Sequence, residues 1–452
     1  MRIMSFFIHF DQKTMWTKLK RVRLTCHQLR FSCKEDVMSR RVLISPLGTG
    51  SLNKHNASDR EYRPATYRIG DKEYNETFIS KALSQHLHID TVFLIGTVKS
   101  MWEQAYEVYG KETSYWDEHQ WAMLADKIDN ASWDTDPQSL DLTFLEKVLG
   151  DKAKAFIIKY GINEEEMMEN WEYLSHIEEY LEDGDIVYFD ITHAFRSMAF
   201  YILSVLNYII DVSEKNIELG GVFYGMLDIV REIGYAPIVD LKPLYETFRW
   251  SRGAYSFLQH GNGYEIAALV NDEKLSNLLK SFSDAININF LGSIKSKMGK
   301  LEKQKKRFSQ MKGPGRLIIP RVIDEFLGYF NDDEPPYLFQ LNAAKWYFKK
   351  KRFGESFMSL TESIVTYNCF CLGLGSNWED KGHRDESKGD ILNSRPKHPL
   401  KDVFLKMNEI RRCIAHHSDK FHGNHSISNY IDDFEKDVAK VEKVFLEFQQ
   451  RS

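Results

Sequence analysis

The sequence predicts an α/β domain built on a mostly parallel sheet, followed by an all-α region. Three observations carry this expectation. Short continuous apolar runs at 42–44, 91–95, 155–158 and 186–189 alternate with helix-period segments, as strands buried on both faces of a parallel sheet do. Several of these runs close on glycine or hydroxyl residues, the punctuation of a strand turning into a helix. Beyond Pro243 the strand signals fade, and apolar residues recur three and four apart.

In order, Val42-Leu43-Ile44 opens a strand that closes on Ser45-Pro46-Leu47-Gly48-Thr49-Gly50. Residues 62–74 read as a hairpin turning at Gly70-Asp71. Phe78, Ile79, Ala82, Leu83 and Leu87 mark one helix face, and residues 91–95 form a buried strand ending at Gly96-Thr97. Helices are expected over 101–109 and 118–126, a strand over 155–158, and an acidic helix over 164–181. The strand 186–189 ends in Asp190-Ile191-Thr192-His193-Ala194-Phe195-Arg196, and an apolar helix runs on to Ile210. Residues 217–224 and 238–241 supply the last strands. Residues 244–330 read as helices with a basic stretch at 300–307 and a break at Lys312-Gly313-Pro314-Gly315. Helical stripes follow to the end, with a loop rich in charge, Gly and Pro expected over 375–399.

At 452 residues the chain has room for two or three domains. Its 43% hydrophobic and 28% charged content is that of a globular protein, and 13% aromatic residues give it large rings to bury. A net charge of −5 excludes tight polyanion binding by overall attraction, so any nucleic-acid contact must be local. Cys26, Cys33, Cys369, Cys371 and Cys413 make no even disulfide framework, which fits a reducing, cytoplasmic compartment. The longest apolar stretch, 198–210, is interrupted by Ser204 and Asn207 and falls short of the ~20 residues of a membrane span. Residues 1–37 are basic, without apolar period or a signal-peptide cleavage site. They are read as a non-native or disordered extension, with Met38 as the true start.

Two constellations point to chemistry. Ligands of open parallel sheets sit at the carboxyl ends of strands, where helix N-termini favour anions. Three such ends carry small or hydroxyl residues: Gly48, Thr49 and Gly50; Gly96, Thr97 and Ser100; Thr192 and His193 with Arg196. Together they suggest a nucleotide-like ligand, although each alone is an ordinary strand-to-helix turn. Asn53 stands where a dinucleotide fingerprint needs its third glycine, which disfavours a nicotinamide cofactor. The second constellation is Arg411-Arg412-Cys413-Ile414-Ala415-His416. Histidine can move a proton near neutral pH and arginine can offset charge on a phosphate, which suits RNA cleavage without a metal. Five residues apart on a helix, the two lie about 140° apart around the axis, so they converge through the reach of arginine or across a subunit interface. His417, His422 and His425 follow without a second ligand pair at zinc-finger spacing, and Cys369-x-Cys371 is not C-x₂-C, so no metal site is expected.

In this order, residues 42–50, the hairpin 67–77, Gly96-Thr97-x-x-Ser100-Met101-Trp102 and Asp190-x-Thr192-His193-x-Phe195-Arg196-Ser197 resemble the CRISPR-associated Rossmann-fold (CARF) domain of type III CRISPR effectors. The branch it resembles carries a C-terminal HEPN nuclease domain, a likeness that rests in the tail on Arg411 and His416. The resemblance implies a Rossmann-like nucleotide-sensing domain over 38–243, a helical linker region over 244–335 and a HEPN helical ribonuclease domain over 336–452. It implies a cyclic oligoadenylate as allosteric activator, cyclic tetra-adenylate first, bound by Gly48, Thr49, Gly50, Gly96, Thr97, Ser100, Thr192, His193 and Arg196. Single-stranded RNA would be cut at a composite site of a homodimer or higher oligomer by Arg411 and His416, with Arg412 and His417 as neighbours and no cofactor. Ala194 departs from the family's usual glycine, and Arg412 from the asparagine of many HEPN motifs. Two other readings remain: a ring nuclease degrading the cyclic ligand, with Lys99 or Thr49 near it, or a nucleotide-responsive binding protein whose helical domain is catalytically silent.

Overall fold

The computed structural model describes residues 39–53, 56–61, 63–193, 196–330, 334–416 and 426–450, without side-chain detail over 51–61 and at Arg196. The expected extension 1–37 and Met38 lie outside the described residues. The chain divides into two compact units, one up to Pro243 and one from Leu244.

The first unit contains strands β1 (Arg41–Leu47), β2 (Ser51–Asn53), β3 (Asn56–Glu61), β4 (Ala65–Ile69), β5 (Lys72–Glu76), β6 (Thr91–Thr97), β7 (Lys154–Ile158), β8 (Ile186–Asp190), β9 (Glu218–Gly225) and β10 (Ala236–Asp240). Its helices are α1 (Ile79–Leu87), α2 (Trp102–Gly110), α3 (Glu118–Asn130), α4 (Thr143–Leu149), α5 (Glu164–Ser175), α6 (Arg196–Asp211) and the single turn α7 (Val230–Ile233). Among the described residues eight strands form one sheet in the order β5-β4-β10-β9-β8-β1-β6-β7, and β2 pairs with β3 apart from it. Neighbours from β9 to β7 run parallel, whereas β10 is antiparallel to β9 and β5 to β4. The sheet is therefore mixed but mostly parallel, as the continuous apolar runs required. Central β1 is buried from Val42 to Leu47, because helices cover both faces.

Several boundaries moved. The hairpin of β4 and β5 pairs Tyr67 with Tyr74 around the Gly70-Asp71 turn, as read. The acidic helix stops as an α-helix at Ser175 and continues as a 3-10 turn over His176–Tyr180. The β2–β3 pair and α4 had no expectation at all, since neither three-residue β2 nor seven-residue α4 is long enough to show a period.

The second unit is helical: α8 (Lys242–His260, entering from the first unit), α9 (Tyr264–Leu269), α10 (Glu273–Asn287), α11 (Leu291–Ser309), α12 (Gly315–Leu327), α13 (Pro336–Lys349), α14 (Phe353–Cys371), α15 (Lys381–Asn393), α16 (Lys401–His416) and α17 (Ile427–Gln449). The expected loop over 375–399 contains α15, a correction with a clear cause. Asp380 caps this helix by accepting from His383 N, but only Ser387 and Ile391 are buried, so a mostly charged sequence hides its period. Ser387 Oγ donates to Val365 O at 2.8 Å, holding α15 against α14.

The unit has two cores, and α13 serves both. Phe339, Ala343, Trp346 and Tyr347 pack with α8 to α12. Tyr337, Leu341 and Ala344 pack with α14, α16 and α17. No helix of the described residues is long and apolar enough to cross a membrane. In the first core the Phe326 ring lies 5.1–5.8 Å from those of Phe257, Phe282, Phe330 and Trp346. Phe326→Ala should destabilise this unit by about 3–5 kcal/mol, read as a lower denaturant midpoint of its unfolding transition with the first unit's transition unchanged.

Candidate functional site

The sheet order decides where a ligand can sit. From β1 the chain builds outward through β6 to β7, then returns to the other side of β1 for β8 and β9. The reversal falls between β1 and β8, and the carboxyl ends of strands at such a reversal open a crevice. All three predicted loops lie at the carboxyl ends of the adjacent strands β8, β1 and β6, so the fold gathers these segments, drawn from between residues 48 and 196, on one edge.

Their parts differ. Thr49, Gly50, Thr192 and His193 are half-buried. Gly50 has φ +72°, and a Cβ there would stand 3.0 Å from Met101 Sδ, so the turn needs glycine for its backbone and its space. Gly48, Gly96, Thr97 and Ser100 are buried. Ser100 Oγ donates to Leu47 O at 2.6 Å and accepts from Thr97 N at 2.9 Å, while Met101 N donates to Gly48 O at 3.0 Å. Trp102 Nε1 donates to Thr97 O at 2.8 Å, and a Cβ on Gly96 would come within 2.6 Å of Trp102 Cζ2. Gly96 and Ser100, expected as ligand contacts, thus brace the ends of β1 and β6 against α2, and the Ser100 hydroxyl is already engaged. The Thr97 hydroxyl is enclosed with no hydrogen-bond partner among the described residues.

The other side of the crevice hangs on Asp190, a residue of the strand-end motif whose type alone assigns it no role there. Its Oδ2 accepts from Ser45 Oγ at 2.7 Å and its Oδ1 from Thr192 N at 2.8 Å. Thr192 Oγ1 in turn accepts from Gly225 N at 2.7 Å, tying the loop to β9. Burial pushes the Asp190 carboxyl up to about 6, against the lowering effect of these hydrogen bonds. Burial also pushes His193 down to about 4, so its imidazole is neutral at pH 7, and its Nε2 is enclosed. Arg196 heads α6; its side chain is outside the description, as are Ala194 and Phe195.

In the second unit Arg411 and His416 lie on α16, whose Ile410 and Cys413 are buried. Arg411 Nη2 donates to Asn408 Oδ1 at 3.0 Å, and Nη1 stands 3.5 Å from Glu362 Oε1. The other oxygen of Glu362 is paired with Arg384, whose Nη1 also donates to Thr366 Oγ1 at 3.2 Å. His416 is exposed at the last residue of the helix, and Arg412 is exposed beside the cavity lined by Lys406, Glu409 and Tyr430. His417, His422 and His425 lie outside the described residues. The sequence carries no signal for the Glu362–Arg384 pair, because it joins α14 to α15, whose mostly charged residues show no helical period. Among the described residues no group of three or more His, Cys, Asp or Glu is placed to hold a metal ion.

Residues 42–228 match the family model of the CARF domain of the CRISPR system endoribonuclease Csx1. The first unit carries a CARF domain. Residues 246–334 match a second model, the second domain of the CRISPR-associated protein MJ1674. The MJ1674 protein of Methanocaldococcus jannaschii is 34% identical over 404 residues, which are 83% of this chain and 62% of that protein. The chain thus spans about three-fifths of the length of the curated relative it matches. A solved structure, Enterococcus italicus Csm6 bound to cyclic hexa-2'-fluoro-hexa-dAMP, aligns over 90% of this chain and 94% of its own with a TM-score of 0.33 and 9% identity.

The buried carboxyl of the CARF domain has a pH signature. A folded-state value raised from 3.8 to about 6 stabilises the fold at pH below the ordinary value, and that stability, about 3 kcal/mol, is lost as pH rises through about 6. Asp190→Asn cannot ionise and keeps the acceptor for Thr192 N. Relative to the parent it should gain about 2–3 kcal/mol between pH 4 and pH 7, measured by denaturant unfolding across that range; a pH-independent difference would show that Asp190 does not titrate in this window.

Proposed function

We propose that this protein is an endoribonuclease switched on by a cyclic oligoadenylate, cyclic tetra-adenylate first, in type III CRISPR antiviral defence. The observation that carries the reading is the crevice between β1 and β8, where Thr49, Gly50, Thr192, His193 and Arg196 gather within a domain matched by the Csx1 CARF model. Gly48, Gly96, Thr97 and Ser100 set the shape of its loops. In a homodimer, a twofold axis through this edge doubles each loop into a ring of donors suited to a symmetric, anionic ligand. The ligand activates by binding the competent arrangement more tightly than the resting one.

Cleavage falls to Arg411 and His416, with Arg412 and His417 beside them. The RNA 2′-hydroxyl attacks its own phosphate in line, the bond to the 5′-oxygen of the next nucleotide breaks, and a 2′,3′-cyclic phosphate remains. His416, exposed at the helix end, moves a proton in this reaction. Arg411, now tied to Glu362 and Asn408, offsets charge on the phosphate. No metal is needed for either role.

The test is cleavage of labelled single-stranded RNA in EDTA, with and without cyclic tri-, tetra- and hexa-adenylate. One ring should stimulate strongly, and His416→Ala or Arg411→Ala should lower the stimulated rate roughly 10²–10⁴-fold. Full activity in the Arg411→Ala, His416→Ala double variant would remove the catalytic assignment. No cleavage with any ring would leave a nucleotide-responsive binding protein, and loss of the ring itself during incubation would mark the CARF domain as the enzyme.

A further inference from the structure

Helix α11, inside the matched second domain, holds seven lysines and arginines and one acid, Glu302, between residues 295 and 307 of a chain whose net charge is −5. Its apolar face is spent: Ile294, Met298, Leu301 and Phe308 are each no more than 2% exposed in the first helical core. On the opposite face Lys300, Lys303, Lys306 and Arg307 are exposed. At 100° per residue these four fall within about 120° of arc and about 10 Å of helix. Ser296 and Gly292 continue that face toward the N-terminus, both exposed, and a Cβ on Gly292 would meet nothing within 4 Å.

The acids that touch this helix are few. Lys305, at the margin of the core, pairs with Asp324 of α12, and Arg307 pairs with Asp272 at the cap of α10. Lys295 donates to the Glu334 carbonyl at 3.0 Å. Lys300, Lys303 and Lys306 have no acidic partner within salt-bridge distance among the described residues, so their charge is left to solvent and counterions. Aligned cations that no carboxylate neutralises repel one another, and a polyanion relieves that repulsion while releasing its own counterions.

We propose that this face of α11 is a binding surface for single-stranded RNA, contacting its phosphates without reading its bases. A membrane surface fits less well, because an interfacial helix needs its apolar face free and that of α11 is buried. The choice of single-stranded RNA as the occupant rests on the nuclease reading, and the α11 face names where that substrate would be held.

The test measures binding of the full chain to a labelled 2′-O-methyl RNA, which lacks the attacking hydroxyl, from 0.05 to 0.3 M salt. The parent is compared with Lys300→Gln/Lys303→Gln/Lys306→Gln and with Lys274→Gln/Lys280→Gln on α10 as control. Loss of three phosphate contacts should flatten the slope of log K against log salt by about 2 and weaken binding roughly 10- to 50-fold at 0.15 M salt, with the control near the parent. An unchanged slope, no RNA binding by the parent, or tighter binding to anionic phosphatidylserine vesicles than to RNA would each overturn the proposal. Retained α11-dependent binding without any ring-stimulated cleavage would instead overturn the nuclease reading alone.

Discussion

Asp190, enclosed at the carboxyl end of β8, joins Ser45 on β1 to the Thr192 amide beyond its own strand. Parallel strands end with backbone groups that the sheet no longer pairs, and the crevice at a topological reversal exposes those ends. The Asp190 carboxyl accepts from one such group, the Thr192 amide, and from the Ser45 hydroxyl on the neighbouring strand. On the other flank Ser100 does the same for β1 and β6, using one hydroxyl as donor and acceptor. The candidate ligand edge is therefore a set of loops held from beneath. Side chains below fix the backbone, and Thr49, Gly50, Thr192 and His193 stand half-buried above them.

The helical unit is organised by sharing. Helix α13 turns Phe339, Ala343 and Trp346 toward one core and Tyr337, Leu341 and Ala344 toward the other. It can do so because it is apolar nearly all round, which an amphipathic surface helix is not. One core contains the basic helix α11, and the other contains α14 and α16 with Glu362 and Arg411.

Much of the fold was legible because period and length agree over long elements. The strands at 42–44, 91–95, 155–158 and 186–189 and the hairpin turn at Gly70-Asp71 stand where they were read. Helix α15 was not legible, since two buried residues in thirteen leave no stripe. Of the site, the strand-end loops could be read from glycine and hydroxyl residues following apolar runs. Their division of labour could not. Ser100 and Thr192 carry the same kind of hydroxyl, yet one is fully enclosed as a brace and the other half-buried at the crevice.

By itself, the sequence determined the alternation of strand and helix, the change to helices after Pro243 and the identity of the chemically able residues, because these depend on local period and side-chain type. Only the tertiary structure decided that β8 returns beside β1, that Asp190 is buried there with a raised pKa, and that Glu362 holds both Arg384 and Arg411. The physical reason is that burial and ion pairing are set by what lies across space, and these partners stand 22 to 145 residues apart along the chain.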